Sequence, residues 1–136
     1  MKKVKLIVAV DDNWGIGKDG KIPWNNKTDQ KWFKLITSRV EDSSKYNILI
    51  MGKLTALTCP LKVMNVPPRH CVVVSTSFLS PEGYTCSSLK EALEYCNCDE
   101  LCESIFIIGG VNIYRESLSL VDEIYVSHIF GNYYCD

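Results

Sequence analysis

The sequence predicts a single α/β domain in which helices pack on a central sheet. Short runs rich in Ile, Val, Phe and Tyr alternate with longer segments of helical period, an order typical of this class. The 136 residues have the length of one domain, and an apolar fraction of 46% is enough for a core. No linker, repeat or low-complexity tract divides the chain, so we expect one domain over residues 1–136.

Five strands are predicted from short apolar runs that lack helical period. The runs are Val4–Val10, Asn47–Met51, Cys71–Ser75, Ser104–Ile108 and Glu123–Phe130. Nearly continuous apolar runs are typical of strands that are buried on both faces of a sheet.

The first helix is predicted from its capping residue and one apolar stripe. Thr28 is the expected N-cap, and Trp32, Ile36 and Val40 recur at a spacing of four residues. Asp29 then lies in the first turn. The preceding segment, residues 11–26, has few periodic apolar residues and is predicted to be a long loop, which is usually functional in a compact domain.

Two further helices follow from local signals. Ser88-Leu-Lys-Glu91 is a capping box ahead of an apolar helical stripe. Gly109-Gly110 leads from a strand into a helical segment that carries Ile113, Tyr114 and Leu118.

Charge and cysteine usage exclude several classes of protein. Fifteen Lys and Arg face sixteen Asp and Glu, so the basic footprint that nucleic-acid binding needs is missing. The apolar run before Asp11 is too short for a signal peptide or a membrane span, and we expect no membrane partner. Seven cysteines without a signal peptide indicate reduced thiols in the cytoplasm. Cys96, Cys98 and Cys102 lack a C-x-x-C pair, so we expect no metal, with a metal site there as the minor alternative.

Two residues are candidates for contact with a ligand's polar groups. Asp29 lies at a helix start among aromatic residues, which suits one acid presented to a flat heterocycle; a capping role alone is the simpler alternative. Arg69 follows Pro67 and Pro68, so its guanidinium is rigidly placed to pair with a carboxylate; ordinary solvation at the surface is the alternative.

Two segments are candidates for binding phosphate. Gly52, Lys53 and Thr55 directly follow a strand, although an ordinary strand-to-helix turn is the simpler explanation for them. Gly109 and Gly110 permit close approach of the backbone to a ligand, but the G-x-G-x-x-G spacing of a Rossmann fold is missing.

Taken in order, these segments resemble the dihydrofolate reductase family. The run Ile7-Val-Ala-Val-Asp-Asp-Asn-Trp-Gly-Ile-Gly-Lys-Asp-Gly-Lys-Ile-Pro-Trp24 is similar to the family's first strand and active-site loop. The other matching pieces are Asp29 with Trp32-Phe33-Lys34, Met51-Gly-Lys53, Pro68-Arg69, Ile108-Gly-Gly110 with Tyr114, and Ile124-Tyr-Val-Ser-His-Ile129. These pieces stand in the family's order and at similar spacings over essentially the whole chain.

The resemblance implies a fold and a reaction. The fold is a three-layer α/β/α arrangement around a mixed, mostly parallel sheet. The reaction is the reduction of dihydrofolate to tetrahydrofolate by hydride transfer from NADPH. In this reading Asp29 is the carboxylate that binds the pterin edge, Trp24 helps to hold a nearby water, and Ser127 supports the carboxylate from behind.

The resemblance also assigns residues to the two ligands. Arg69 corresponds to the clamp on the substrate's glutamate carboxylate, and Gly109-Gly110 to a cis-linked pair beside the cofactor pyrophosphate. The other residues implied for dihydrofolate are Ile7, Val8, Asp29, Phe33, Cys59, Val66 and Ile108. The other residues implied for NADPH are Ala9, Ile16, Gly52, Lys53, Leu54, Thr55, Ser75, Thr76, Val111, Asn112, Ile113 and Tyr114.

Six positions depart from the family's pattern, among them Gln30 and Val111, and four of the six bear directly on ligand binding. Leu54 and Thr76 stand where relatives often carry cations for the 2′-phosphate, which predicts a smaller preference for NADPH over NADH. Ala56 and Cys59 replace larger apolar contacts, which predicts a looser wall of the folate pocket around an intact carboxylate.

The chain ends at Tyr134-Cys135-Asp136, where relatives continue into a final antiparallel hairpin. We therefore expect a domain without its last two strands, which leaves residues 123–130 as an edge strand. The same expectation predicts marginal folding and poor activity unless that segment comes from elsewhere.

Three alternatives to this enzyme remain. One is a degenerate module that binds folate or nucleotide without turnover. Another is the reductase part of a bifunctional chain joined to thymidylate synthase. The third is the related reductase of riboflavin synthesis, which Pro23-Trp24, Asp29 and Arg69 disfavour.

Overall fold

Ten elements make up the described part of the chain. A computed structural model describes residues 2–10, 27–58, 64–76 and 84–128. The elements are β1 (Val4–Val10), α1 (Lys27–Ser38), β2 (Tyr46–Gly52), α2 (Lys53–Thr58), β3 (Arg69–Val74), β4 (Tyr84–Cys86), α3 (Leu89–Cys98), β5 (Cys102–Gly109), α4 (Val111–Ser117) and β6 (Glu123–His128).

The strands form one six-stranded sheet in the order β4-β3-β2-β5-β1-β6. Every pairing between described strands is parallel, so the expected mixed sheet has no antiparallel member within these ranges. Because the strands are parallel, their carboxyl ends lie along one edge of the sheet, which is where open α/β sheets bind ligands.

Helices cover both faces of the sheet, which confirms the three-layer α/β/α fold. Along β2, Leu49 and Met51 point to one face while Ile48 and Ile50 point to the other. The α1 face, on which α1 and α2 pack, buries Ile7, Leu49, Met51, Ala56, Met64, Cys71, Val73, Phe106 and Ile108. The α3 face, on which α3 and α4 pack, buries Val4, Leu6, Ile48, Ile50, Val72, Cys86, Leu89, Ala92, Cys96, Cys102, Ile105, Ile107 and Ile113.

The five predicted strands are all present. The bounds of β1 match the prediction, and β2, β3 and β5 differ from it by one or two residues at each end. β6 is observed as far as His128, and the predicted continuation to Phe130 lies outside the described residues. The strand β4 was not predicted, because three residues are too few for a period of two to be visible.

The helix predictions need small corrections. The helix α1 begins at Lys27, so Thr28 lies within its first turn and is not the N-cap. Val40 lies beyond the end of α1, and α4 ends one residue before Leu118.

The capping box of α3 is half confirmed. Ser88 is the N-cap, and its Oγ accepts from the Glu91 backbone N–H at 3.1 Å. The Glu91 carboxylate instead accepts from the backbone N–H and hydroxyl of Ser87, at 3.2 and 2.6 Å, and these bonds lower its pKa. The start of α3 is therefore held by two serines.

β6 forms one edge of the sheet as described. It pairs with β1 from Lys5–Glu123 to Val10–His128, and the side chains of Ile124 and Val126 are 49% and 45% exposed. Within the four described ranges, no helix has both the length and the hydropathy needed to cross a bilayer.

Candidate functional site

Two glycines end neighbouring strands at the carboxyl edge of the sheet. Gly52 ends β2, Gly109 ends β5, and Met51 pairs with Gly109. A Cβ on Gly109 would stand 3.2 Å from the Tyr114 hydroxyl oxygen and 3.3 Å from Thr55 Oγ1. The φ angle of Gly109 is 126°, a left-handed conformation that favours glycine. We call Gly52, Thr55, Gly109, Gly110 and Tyr114 the glycine cradle.

The cradle brings together several residues that the sequence singled out. The peptide bond between Gly109 and Gly110 is cis, as the resemblance implied. A Cβ on Gly52 would stand 3.3 Å from Ile113 Cγ1 and 3.8 Å from the Gly110 nitrogen. Side chains of the two following helices therefore pack close to the backbone of Gly52 and Gly109.

Tyr114 ties the cradle to two strands. Its hydroxyl oxygen lies 2.8 Å from the Ile7 carbonyl oxygen and 2.9 Å from the Ile108 carbonyl oxygen. A hydroxyl has one proton, so it donates to one of these carbonyls at a time. Two carbonyl groups of β1 and β5 thus converge beside the glycines.

An apolar strip runs along the α1 face below the cradle. Ile7 and Ile108 are buried in it, and Phe33 of α1 packs against it half-buried. Asp29 lies in the first turn of α1, four residues before Phe33, and a separation of four places two helical positions on one side. The Asp29 side chain lies outside the described part of the structure.

Arg69 lies at the other end of the strip. It begins β3 and is only 4% exposed, so ordinary surface solvation is excluded as its role. Its Nη1 donates to Thr37 Oγ1 at 3.4 Å. Burial lowers the pKa of the guanidinium, because a low dielectric disfavours its charged form.

The distance between the two ends of the strip follows from strand geometry. Asn47 pairs with Arg69, and Gly52 lies five residues further along β2. At the usual rise per strand residue, the cradle and Arg69 are about 16 Å apart. The candidate site is therefore long, with glycines at one end and a buried cation at the other.

The remaining substrate candidates are placed unevenly. Ser127 is half-buried on β6 and pairs with Ala9. Val8 packs against the α3 face, so only its backbone can serve a ligand held on the α1 face beside Ile7. Val66 is 47% exposed, and its carbonyl accepts from the Arg69 backbone N–H at 2.9 Å. Ile16, Trp24 and Cys59 lie outside the described residues.

The outer cofactor candidates lie around the cradle on exposed positions. Lys53 and Leu54 open α2 directly after Gly52. Val111 and Asn112 open α4 directly after Gly110. Beyond β3, Thr76 is exposed, and the Ser75 N–H donates to the Cys86 carbonyl at 2.8 Å.

Thr37 and Asn47 are buried polar residues at the site that the sequence reading missed. Both are fully buried, and both contact α1 or Arg69 through hydrogen bonds. The signal was present for one of them, because Asn47 is an amide at the start of an otherwise apolar strand. Among the described side chains, no group of three His, Cys, Asp or Glu is placed to hold a metal ion.

Fold and site define a three-layer α/β protein whose ligand edge is built from glycines at the carboxyl ends of two central strands. A family model described as Dihydrofolate reductase matches residues 3–136, so the chain belongs to the dihydrofolate reductase family.

Curated relatives agree with the family. The chain is 39% identical over 142 residues to the bifunctional dihydrofolate reductase-thymidylate synthase 1 of Arabidopsis thaliana, with 97% of this chain and 27% of the relative covered. It is 32% identical to the dihydrofolate reductase of Drosophila melanogaster and 33% identical to that of Aedes albopictus, with all of this chain and 78% of each relative covered. The chain thus spans about a quarter of the length of the bifunctional relatives that it matches.

Proposed function

We propose that this chain reduces 7,8-dihydrofolate to tetrahydrofolate with NADPH. The observation that carries the proposal is the long apolar strip on the α1 face, with the glycine cradle at one end and buried Arg69 at the other. A substrate with a flat heterocycle at one end and a carboxylate at the other matches this arrangement, with its carboxylate at Arg69. Family membership supports the same reading.

The heterocycle belongs at the cradle end of the strip. Ile7, Ile108 and Phe33 provide apolar contact for a flat ring. We assign Asp29 to the ring's amino edge, since an ionised carboxylate accepts two parallel N–H bonds and fixes the ring's orientation. Orientation of the reacting atoms is a large part of what hydride transfer requires. Trp24 and Ser127 are proposed to support this carboxylate, through a water and from β6 respectively.

The residues of the cradle fit a nicotinamide cofactor. Gly52 and Gly109 keep the backbone free of side chains of its own at this edge, and Thr55 and Tyr114 place hydroxyl groups beside Gly109. Lys53 is an exposed cation one residue from Gly52, suited to phosphate. NADPH supplies the hydride when bound, and the chain's own residues hold and orient the two ligands.

Arg69 is proposed to bind the carboxylate tail of the substrate. A guanidinium pairs with a carboxylate through two parallel N–H···O bonds. Binding an anion here offsets the cost of keeping the cation buried, which the lowered pKa of Arg69 reflects.

The direct test is NADPH oxidation by the purified chain. We expect oxidation that requires dihydrofolate and is blocked by methotrexate. Saturable methotrexate binding without any oxidation would overturn the enzyme proposal and favour a module that binds folate without turnover.

Cofactor choice gives a second test. Leu54 is 61% exposed beside the cradle and carries no charge, and Thr76 is likewise exposed and uncharged. We expect kcat/KM for NADPH to exceed that for NADH by less than about a thousandfold, or roughly 4 kcal/mol. A larger ratio would show that other cations read the 2′-phosphate. The Leu54→Arg variant is expected to raise the ratio.

A thymidylate synthase partner is proposed as part of the same gene product. The support is that four of the matched relatives are named as bifunctional dihydrofolate reductase-thymidylate synthases. Sequencing the transcript beyond codon 136 tests this, and a stop codon there would contradict it. We also propose a cytoplasmic location, supported by Cys86, Cys96, Cys98 and Cys102, which are thiols in the described part of the structure; cell fractionation tests it.

A further inference from the structure

Three buried polar side chains meet where α1, β2 and β3 adjoin. Thr37 and Asn47 are 0% exposed and Arg69 is 4% exposed. Polar groups are costly to bury unless they are hydrogen-bonded, so a cluster of three marks a place where their bonds matter. We call these residues the polar anchor.

Asn47 joins the end of α1 to the sheet. Its Nδ2 donates to the carbonyl oxygens of Thr37 and Arg39, both at 2.9 Å. These carbonyls lie at the carboxyl end of α1, where the last turn of a helix has no further N–H groups to bond. Both N–H groups of the Asn47 amide thus hold the end of α1 in place.

Thr37 links the end of α1 to Arg69 through a hydrogen bond. Its hydroxyl donates to the Phe33 carbonyl at 2.7 Å, so its single proton is engaged within the helix. The oxygen is then an acceptor for Arg69 Nη1 at 3.4 Å. Because the Thr37 hydroxyl donates to the Phe33 carbonyl, its oxygen can only accept in the bond with Arg69.

The backbone of Arg69 is held from the same side. Asn47 pairs with Arg69 in the sheet, and the Asn47 N–H donates to the Pro68 carbonyl at 2.8 Å. The Arg69 N–H donates to the Val66 carbonyl at 2.9 Å. The backbone of Arg69 is thus held beside β2, and its guanidinium is held by the end of α1.

The orphan atom of Asn47 shows that the amide is kept for its donors. No hydrogen-bond partner of Asn47 Oδ1 is found among the described residues. An apolar side chain of similar size would avoid that cost. The amide of Asn47 compensates for this cost with its two hydrogen bonds to the end of α1.

We propose that Thr37 and Asn47 are positioning residues that aim the Arg69 guanidinium at the substrate's carboxylate tail. This inference rests on the proposed function, and in particular on the role of Arg69. It predicts that losing the anchor weakens recognition of the tail while leaving the chemistry at the cradle unchanged.

The test compares two substrates in one variant. Thr37→Val keeps the shape of the side chain but removes the acceptor for Arg69. We expect KM for dihydrofolate to rise about five- to tenfold, the size of one lost hydrogen bond, with kcat unchanged. KM for a dihydropterin without the glutamate tail should stay within about twofold of the wild type. Thr37→Ser keeps the hydroxyl and is the matched control, expected to restore the wild-type KM.

Binding measurements keep the inference separate from the proposed function. Dissociation constants of the two pterins for the wild type and Thr37→Val are measured without NADPH, so no turnover is needed. The same selective loss for the tailed compound supports the anchor even if the chain proves inactive. Equal weakening of both compounds, or none, overturns it. Asn47→Leu is the second variant, expected to show the same selectivity, and thermal unfolding of each variant confirms that it is folded.

Discussion

The two faces of the sheet bury different chemistry. The α1 face carries Arg69, Thr37 and Asn47, three of the four buried polar side chains in the described part of the chain. The α3 face buries aliphatic side chains and the three thiols of Cys86, Cys96 and Cys102.

The thiols on the α3 face are buried packing groups. Burial raises the pKa of Cys96 and raises that of Cys102 to about 11, so both thiols are protonated near neutral pH. A protonated, buried thiol is a poor nucleophile and behaves as a small apolar side chain.

This difference suggests a division of roles, in which the α3 face serves stability and the α1 face also serves binding. A buried cation adds little stability compared with an apolar side chain of similar volume. We propose that binding of a ligand explains why the cation is kept on the α1 face. Among the described residues, the α3 face buries no cation, so substitutions on the two faces should have different consequences.

Among the substitutions that compare the two faces, the largest effect is expected for Arg69→Leu. Removing the guanidinium should raise KM for dihydrofolate about a hundredfold, or roughly 3 kcal/mol, the usual scale for losing one partner of a buried charge pair. The free energy of unfolding should change little or increase, because an apolar side chain is cheaper to bury.

Steady-state kinetics and urea unfolding measure both quantities for this variant. Arg39→Leu is the control, since Arg39 is an exposed guanidinium beyond the end of α1. An unchanged KM in Arg69→Leu would break the contrast between the faces.

A smaller effect is expected at the cradle, for Gly109→Ala. The added Cβ would crowd the Tyr114 hydroxyl and Thr55 Oγ1, at a φ that disfavours alanine. We expect the free energy of unfolding to fall by about 1–3 kcal/mol and the affinity for NADPH to fall with it. Gly110→Ala is the matched control, because its Cβ would meet only Thr55 Oγ1 at an ordinary 3.6 Å. A Gly110→Ala variant less stable than Gly109→Ala would contradict this.

The smallest effect is a pH dependence from the α3 face. Between about pH 9 and 11 the unfolded chain has lost the Cys102 proton while the folded chain still holds it. The stability from this thiol is complete below pH 9 and is lost as pH rises, with a slope of at most about 1.4 kcal/mol per pH unit. Cys102→Ala should have a shallower slope in urea unfolding. Cys98→Ser, at an exposed position, should match the wild type, and identical slopes in all three would refute the assignment.

The sequence predicted the sheet well because its strands are buried on both faces. β2 and β5 read as apolar runs whatever packs on them. The sequence could not place β4, whose three residues carry no period, or show that Thr28 lies inside α1.

Part of the candidate site follows from the sequence. Gly109, Tyr114 and Arg69 were singled out by local patterns and by the family's order of motifs. Thr37 and Asn47 were not, because their importance comes from contacts across 10 to 32 residues of sequence that only the fold creates. Ile7 and Val8 point to opposite faces of the sheet, and only the fold shows that Ile7 is the one on the α1 face.

The most direct test of dihydrofolate reduction at the α1 face is kcat/KM for the wild type and for Asp29→Asn. We expect methotrexate-sensitive turnover in the wild type and a loss of about a hundredfold or more in the variant, because an amide cannot accept both N–H bonds of the pterin edge. Asp29→Asn with the turnover of the wild type, or a wild type that binds both ligands without oxidising NADPH, would contradict it.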